Sequence, residues 1–119
     1  MLSFYLSILE TEEEKDRFEQ LYRMFKQDMY AIAYDILKNK EDAEDVVHQS
    51  FIAIADNFKK VNEIPCQEIK SYVVVISKNN ALNLYKKNKR IAKRSAELNI
   101  NMAADNVDML ERYDYDQLV

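Results

Sequence analysis

Residues 71–94, SYVVVISKNNALNLYKKNKRIAKR, decide the fold, because this stretch is apolar at its start and basic at its end while it keeps one helical period. At about 100° per residue, apolar and polar residues separate onto different sides of a helix. The apolar side consists of Val73, Ile76, Ala81, Leu84 and Ile91, and the neighbouring polar stripe of Asn79, Asn83, Lys86 and Arg90. We therefore predict a long helix with one buried side.

The positive charge of the chain is concentrated in this helix. Residues 78–94 contain seven cations and no acid, although the chain has a formal net charge of −4. A phosphate backbone selects such a surface, and asparagines can donate and accept hydrogen bonds at base edges. A solvated helix face would show the same charge run, so both interpretations stay open at this point. The cations are Lys78, Lys86, Lys87, Lys89, Arg90, Lys93 and Arg94.

The composition indicates a single all-α domain. The 119 residues include no glycine and one proline, Pro65. A sheet protein would need more of these turn-forming residues. A lone cysteine, Cys66, cannot form an internal disulfide and has no metal-ligand neighbours at a suitable spacing. The apolar run at residues 2–9 lacks a basic start and is too short to span a bilayer, so we expect a cytoplasmic protein.

Helical periodicity predicts two further long helices before the basic one. The first helix has Thr11 as its N-cap and three acids directly after Thr11, in its first turn, and it continues to about residue 38. Asn39 and Asp42 resemble a capping pair for the second helix, which covers about residues 41–58 and is joined by a tight turn. The prediction is a compact bundle of three main helices, to which residues 2–9 can add a short N-terminal helix.

The second predicted helix has a polar face opposite its apolar side. A polar rim around one exposed aliphatic residue, Ile52, is typical of a protein interface, although a plain solvated surface is the simpler interpretation. His48 could bind a metal ion together with Glu44 or Asp45, but no second histidine completes a site. No catalytic set can be assembled either, so we expect no enzyme, metal or cofactor. The face consists of Glu41, Asp45, His48, Gln49, Ile52 and Asp56.

Two motifs resemble bacterial sigma-70 factors, in particular the extracytoplasmic-function group. Residues 42–51, DAEDVVHQSF, are similar to the family run DAEDVVQETF. Downstream, the aromatic-aliphatic pair at residues 72–73, the ISKN run at residues 76–79, Asn83 and Arg90 resemble the pattern W-L…I-A-R-N…D/N…R. The departures are His48 for glutamine, Tyr72 for tryptophan and Ser77 for alanine. The resemblance covers about residues 12–94.

This resemblance implies sigma region 2, a helical domain that binds core RNA polymerase and the promoter −10 element. The second helix would dock on the coiled coil of the β′ clamp, and the third would hold the non-template strand. Residues 59–70 correspond to the family pocket for a flipped base, and an anti-sigma factor is a further expected partner. The expected DNA-binding residues are Tyr72, Lys78, Asn79, Asn83, Lys86, Lys87, Lys89 and Arg90.

The end of the chain is expected to be an acidic linker. Residues 98–119 contain five acids against one cation after residue 104, and they resemble the segment that leads to a second helical domain, region 4. We therefore predict a region 2 domain at residues 1–97 in a chain without region 4. Two other function classes remain open at this stage: a helical adaptor whose basic face ignores base identity, and a metal-dependent helical enzyme.

Overall fold

The computed structural model describes residues 2–98, which form five helices and contain no strand. The helices are α1, Leu2–Ile8; α2, Glu12–Leu37; α3, Lys40–Asp56; α4, Phe58–Val61; and α5, Cys66–Leu98. The prediction of an all-α bundle with three main helices and a short N-terminal helix is confirmed. Within the described residues, no helix is both long and apolar enough to cross a membrane.

The ends of α2 follow the capping signals in the sequence. Thr11 accepts a hydrogen bond from the backbone N–H of Glu14 at 3.1 Å, and the Glu14 carboxylate accepts one from the backbone N–H of Thr11 at 3.3 Å. This reciprocal capping box satisfies donors that the first helical turn leaves free. At the other end Lys38 adopts a left-handed conformation with φ 54°, which stops the helix.

The capping pair predicted for α3 is also present. The side chain of Asn39 accepts a hydrogen bond from the backbone N–H of Asp42 at 2.9 Å. Only Lys38 and Asn39 separate α2 from α3, so the two helices form an antiparallel hairpin.

The predicted connector at residues 59–70 is mostly helical, which corrects the sequence interpretation. α3 ends at Asp56, Phe58 starts the short helix α4, and α5 begins directly after Pro65. A proline disrupts a helix interior but is tolerated at a helix start, because the N–H that it lacks would be unpaired there anyway. The carbonyl of Pro65 accepts a hydrogen bond from the N–H of Glu68 at 2.9 Å, and only residues 62–65 remain outside helices.

The core has a large aromatic part and a small-residue part. The aromatic part joins α1, α2, α3 and α4 with the start of α5, and its fully covered members include Phe18, Met29, Phe51 and Ile54. The small-residue part lies where the three long helices approach each other and consists of Ala33, Ala43, Val46 and Ala81. Small side chains let helix backbones approach closely, so this part fixes α5 against the α2–α3 hairpin.

Helix α5 is antiparallel to α3 and extends beyond it. Asn80 bonds to Ser50 and Asn88 bonds to Asp42, so increasing residue numbers along α5 meet decreasing numbers along α3. Asp42 is in the first turn of α3, and residues after Asn88 therefore pass the end of the hairpin. Ile91, which we expected on the buried side, is half exposed, and it lies three residues past the Asn88–Asp42 bond at the end of the hairpin.

Two candidate binding surfaces

The first candidate surface, the α3 face, is the predicted polymerase-binding set. Four of its members are exposed, and they are Glu41, Asp45, Gln49 and Asp56. His48 and Ile52 are only partly exposed. Ile52 packs against the aromatic part of the core, so the expectation of an isolated exposed aliphatic residue is wrong. The α3 face is therefore an acidic strip bordered by two half-buried side chains.

His48 is held by the N-terminal helix, through a contact that helical periodicity could not predict. The hydroxyl of Tyr5 lies 2.7 Å from Nδ1 of His48. The rings of Phe4 and Tyr5 lie with their centroids 6.0 and 5.5 Å from the imidazole. The contact joins residues 43 positions apart, which is beyond the reach of periodicity arguments.

A groove of about 760 Å³ runs beside the α3 face, between α1, α2 and α3. Its lining includes the rings of Tyr22, Tyr30 and Phe51, and charged side chains reach it from both α2 and α3. Tyr5 also lines the groove, and burial together with nearby Tyr22 raises the pKa of Tyr5 to about 12. The groove therefore combines charges of both signs with aromatic side chains, and aromatic residues are enriched in protein interfaces.

The second candidate surface, the α5 face, is the predicted DNA-binding set on the basic helix. Its cations are exposed except Lys89, which is partly covered. No ion pair within residues 2–98 involves Lys78, Lys86, Lys87 or Arg90. Their charge is consequently available to a polyanion.

The asparagines of α5 divide into two kinds. Asn80 donates a hydrogen bond of 3.0 Å to the buried hydroxyl of Ser50, and Asn88 donates one of 3.0 Å to a carboxylate oxygen of Asp42. Both fasten α5 to α3. Asn79 and Asn83 are exposed and have no hydrogen-bond partner within residues 2–98. The two asparagines that we singled out as DNA contacts are therefore the ones that remain available.

Tyr72 differs from the rest of the predicted DNA-binding set. It is partly buried and packs against the aromatic part of the core, and burial raises the pKa of its hydroxyl. The ring can offer only part of its surface to a ligand. It lies seven residues before Asn79, about two helical turns, and is therefore on the same side of α5.

The segment predicted to hold a flipped base contains two buried anchors. Phe58 and Val61 of α4 are buried, whereas Lys59 is exposed and forms an ion pair of 3.2 Å with Glu10. The side-chain oxygen of Asn62 is buried without a hydrogen-bond partner in the described part of the chain. The role of this segment as a base pocket stays a prediction.

Metal chemistry has no geometric support in the described residues. Within residues 2–98, no group of three or more histidine, cysteine, aspartate or glutamate side chains could hold a metal ion. Cys66 is exposed at the start of α5. Nδ1 of His48 is in contact with the Tyr5 hydroxyl.

Comparison with known proteins identifies a family whose model matches more than half of the chain. The family model described as sigma-70 region 2 matches residues 21–91, which include most of α2, all of α3 and α4, and α5 as far as Ile91. No curated protein and no solved structure matches the chain significantly. The match contains every residue of the two candidate surfaces. The acidic tail was predicted at residues 98–119; Leu98 is the last residue of α5, and residues 99–119 lie outside the described residues. Helix α1 lies outside the match.

Proposed function

We propose that this chain, which belongs to the sigma-70 family through its region 2, uses separate surfaces for two binding tasks. Region 2 is a non-enzymatic part of transcription initiation factors, and it binds core RNA polymerase and promoter DNA. The α3 face binds core polymerase at the coiled coil of the β′ clamp. The α5 face binds the non-template strand of the opened −10 element. The extracytoplasmic-function group is the subgroup that the sequence motifs favour.

The observation that carries this proposal is the separation of two surfaces with different charge. The acids Glu41, Asp45 and Asp56 are exposed on α3. The exposed cations without an ion pair in residues 2–98 that belong to the DNA-binding set are on α5, and they are Lys78, Lys86, Lys87 and Arg90. Ser50, which bonds to α5, is completely buried on the other side of α3. A polymerase helix on the α3 face would therefore leave the α5 face open to DNA, as simultaneous binding requires.

On the DNA side, the proposed roles follow from the chemistry of each side chain. Lys78, Lys86, Lys87, Lys89 and Arg90 contact phosphates, which supply affinity but little sequence information. Asn79 and Asn83 contact base edges or the strand near them. The exposed part of Tyr72 is suited to stack on a base, an interaction worth about 1–3 kcal/mol.

The polymerase contact is tested by reversing one charge on the α3 face. We expect Asp45→Lys to weaken binding of the full chain to core RNA polymerase at least about fivefold, because a cation replaces an acid within the proposed interface. Asp28→Lys is the matched control, since Asp28 is exposed on α2 and does not line the groove. Equal binding of both variants and the unchanged chain would refute the α3 assignment. Circular dichroism checks that both variants keep their helices.

The DNA contact is tested with single-stranded −10 oligonucleotides substituted at one base at a time. Asn79→Ala and Asn83→Ala should lower affinity for some bases and not for others. A non-DNA adaptor with a basic surface would instead bind all oligonucleotides alike. Equal losses for every base would remove the two asparagines from base recognition and leave them with backbone contacts only.

A further inference from the structure

Helix α1 is anchored in the core although it lies outside the family match. The ring of Tyr5 is 2% exposed and lies with its centroid 5.5 to 5.9 Å from those of Phe18, Tyr22 and Phe51. Leu9, just after the helix, is also buried. Such burial holds α1 in place, so α1 is a fixed wall of the groove rather than a removable cover.

The same helix controls one side of the His48 ring. Nδ1 is 2.7 Å from the Tyr5 hydroxyl. Within residues 2–98, Nε2 has no hydrogen-bond partner, and solvent can reach it. Phe4, half exposed, lies beside the imidazole. His48 is therefore fixed at Nδ1 and open at Nε2.

The direction of this hydrogen bond determines what Nε2 can do. Within residues 2–98, Nδ1 of His48 is the one hydrogen-bond partner of the buried Tyr5 hydroxyl, so it is the acceptor within reach for the hydroxyl proton. Burial also raises the pKa of Tyr5 to about 12, which favours the protonated hydroxyl further. If Tyr5 donates this proton to Nδ1, the neutral imidazole carries its own proton on Nε2. The open nitrogen is then a hydrogen-bond donor at the edge of the α3 face.

We propose that α1 supports the polymerase-binding surface: Tyr5 is a positioning residue that fixes His48 so that its Nε2–H donates to an acceptor on core polymerase. This inference rests on the proposed binding of polymerase by the α3 face. The acceptor is a carboxylate or carbonyl oxygen on the docked helix. Tyr5 itself lies too deep to contact the partner and acts through His48 alone.

Binding measurements on the full chain test this arrangement. Tyr5→Phe keeps the ring and removes the hydroxyl, and we expect it to weaken affinity for core polymerase about five- to tenfold, as for one lost hydrogen bond. Tyr34→Phe is the matched control, because Tyr34 is 43% exposed and does not line the groove. It should change affinity less than about twofold, the size typical of a neutral surface change.

A double-mutant cycle separates positioning from general stabilisation. In a His48→Ala background, Tyr5→Phe should cause no further loss, because the group that it positions is gone. His48→Gln should retain binding, since an amide can accept from Tyr5 and donate to polymerase at the same time. Thermal unfolding of each variant shows whether a loss of affinity comes from a loss of folded protein.

The imidazole provides an independent readout, because His48 is the only histidine of the chain. Nitrogen-15 spectra of the labelled protein should show the Nε2–H tautomer, and Tyr5→Phe should shift the ring toward a mixture of tautomers. Three results would overturn the inference: an Nδ1–H tautomer, unchanged affinity of Tyr5→Phe, or an equal loss in the His48→Ala background. If the unchanged chain fails to bind polymerase, the proposed function falls first and this inference with it.

Discussion

The two halves of α5 follow one helical path but have different surroundings. From Val73 to Tyr85, every fourth residue is buried against α2 and α3, whereas Ala96 is the only buried residue between positions 86 and 98. The change coincides with the end of the α2–α3 hairpin, where Asn88 bonds to Asp42. The first half of α5 therefore has a buried strip on one side and exposed residues such as Asn79 and Asn83 on the other, whereas the second half is exposed over most of its circumference.

The largest difference between the two halves of α5 is expected when a buried or exposed apolar side chain is shortened in each of them. Val73 is 1% exposed and Ile91 is 50% exposed. We expect Val73→Ala to lower the free energy of unfolding by about 2 kcal/mol, through lost burial and a small cavity. Ile91→Ala should change it by less than about 0.5 kcal/mol, as is usual for surface positions. Urea unfolding followed by circular dichroism measures both, and equal losses would mean that the basic half is packed as well.

A smaller difference is expected between two adjacent asparagines. Asn80→Ala leaves the completely buried hydroxyl of Ser50 without its partner, so it should cost about 1 kcal/mol or more. Asn79→Ala removes an exposed side chain and should be neutral within about 0.5 kcal/mol. Thermal unfolding of the two variants side by side decides this. A larger loss of stability for Asn79→Ala would contradict the structural role assigned to Asn80 and the binding role proposed for Asn79.

The smallest effect on stability is expected in the second, basic half of α5, residues 86–98, where a substitution should change DNA binding and not folding. Lys86→Ala should leave the melting temperature nearly unchanged, because Lys86 is exposed and has no ion pair within residues 2–98. It should weaken all −10 oligonucleotides similarly and reduce the slope of log affinity against log salt by about one. An unchanged salt slope would show that Lys86 does not contact phosphate.

Sequence periodicity predicted much of this arrangement because it reflects local geometry. The caps at Thr11 and Asn39 involve residues three apart, and the buried sides of α2 and α3 repeat with the helical period. The exposure of Asn79 and Lys86 followed from the same period. These features need no knowledge of which helix packs where.

The errors concern features that depend on distant parts of the chain. Ile91 has the correct period for burial but lies past the end of the α2–α3 hairpin and is half exposed. Ile52 and His48 have the period of an exposed face, yet Ile52 packs against the core and Tyr5 of α1 bonds to His48. Periodicity identifies the apolar side of a helix, but it does not show how far a neighbouring helix extends.

The bond between Asn88 and Asp42 joins α5 to the first turn of α3, and this position near the end of the hairpin has a consequence for amide hydrogen exchange. Backbone hydrogen bonds protected by burial exchange only through large openings, whereas those of an exposed helix end exchange through local fraying. We therefore expect slow exchange for the amides near Val73, Ser77 and Ala81 and much faster exchange after Asn88. Bound DNA would slow exchange in this basic segment without changing the protection of the core.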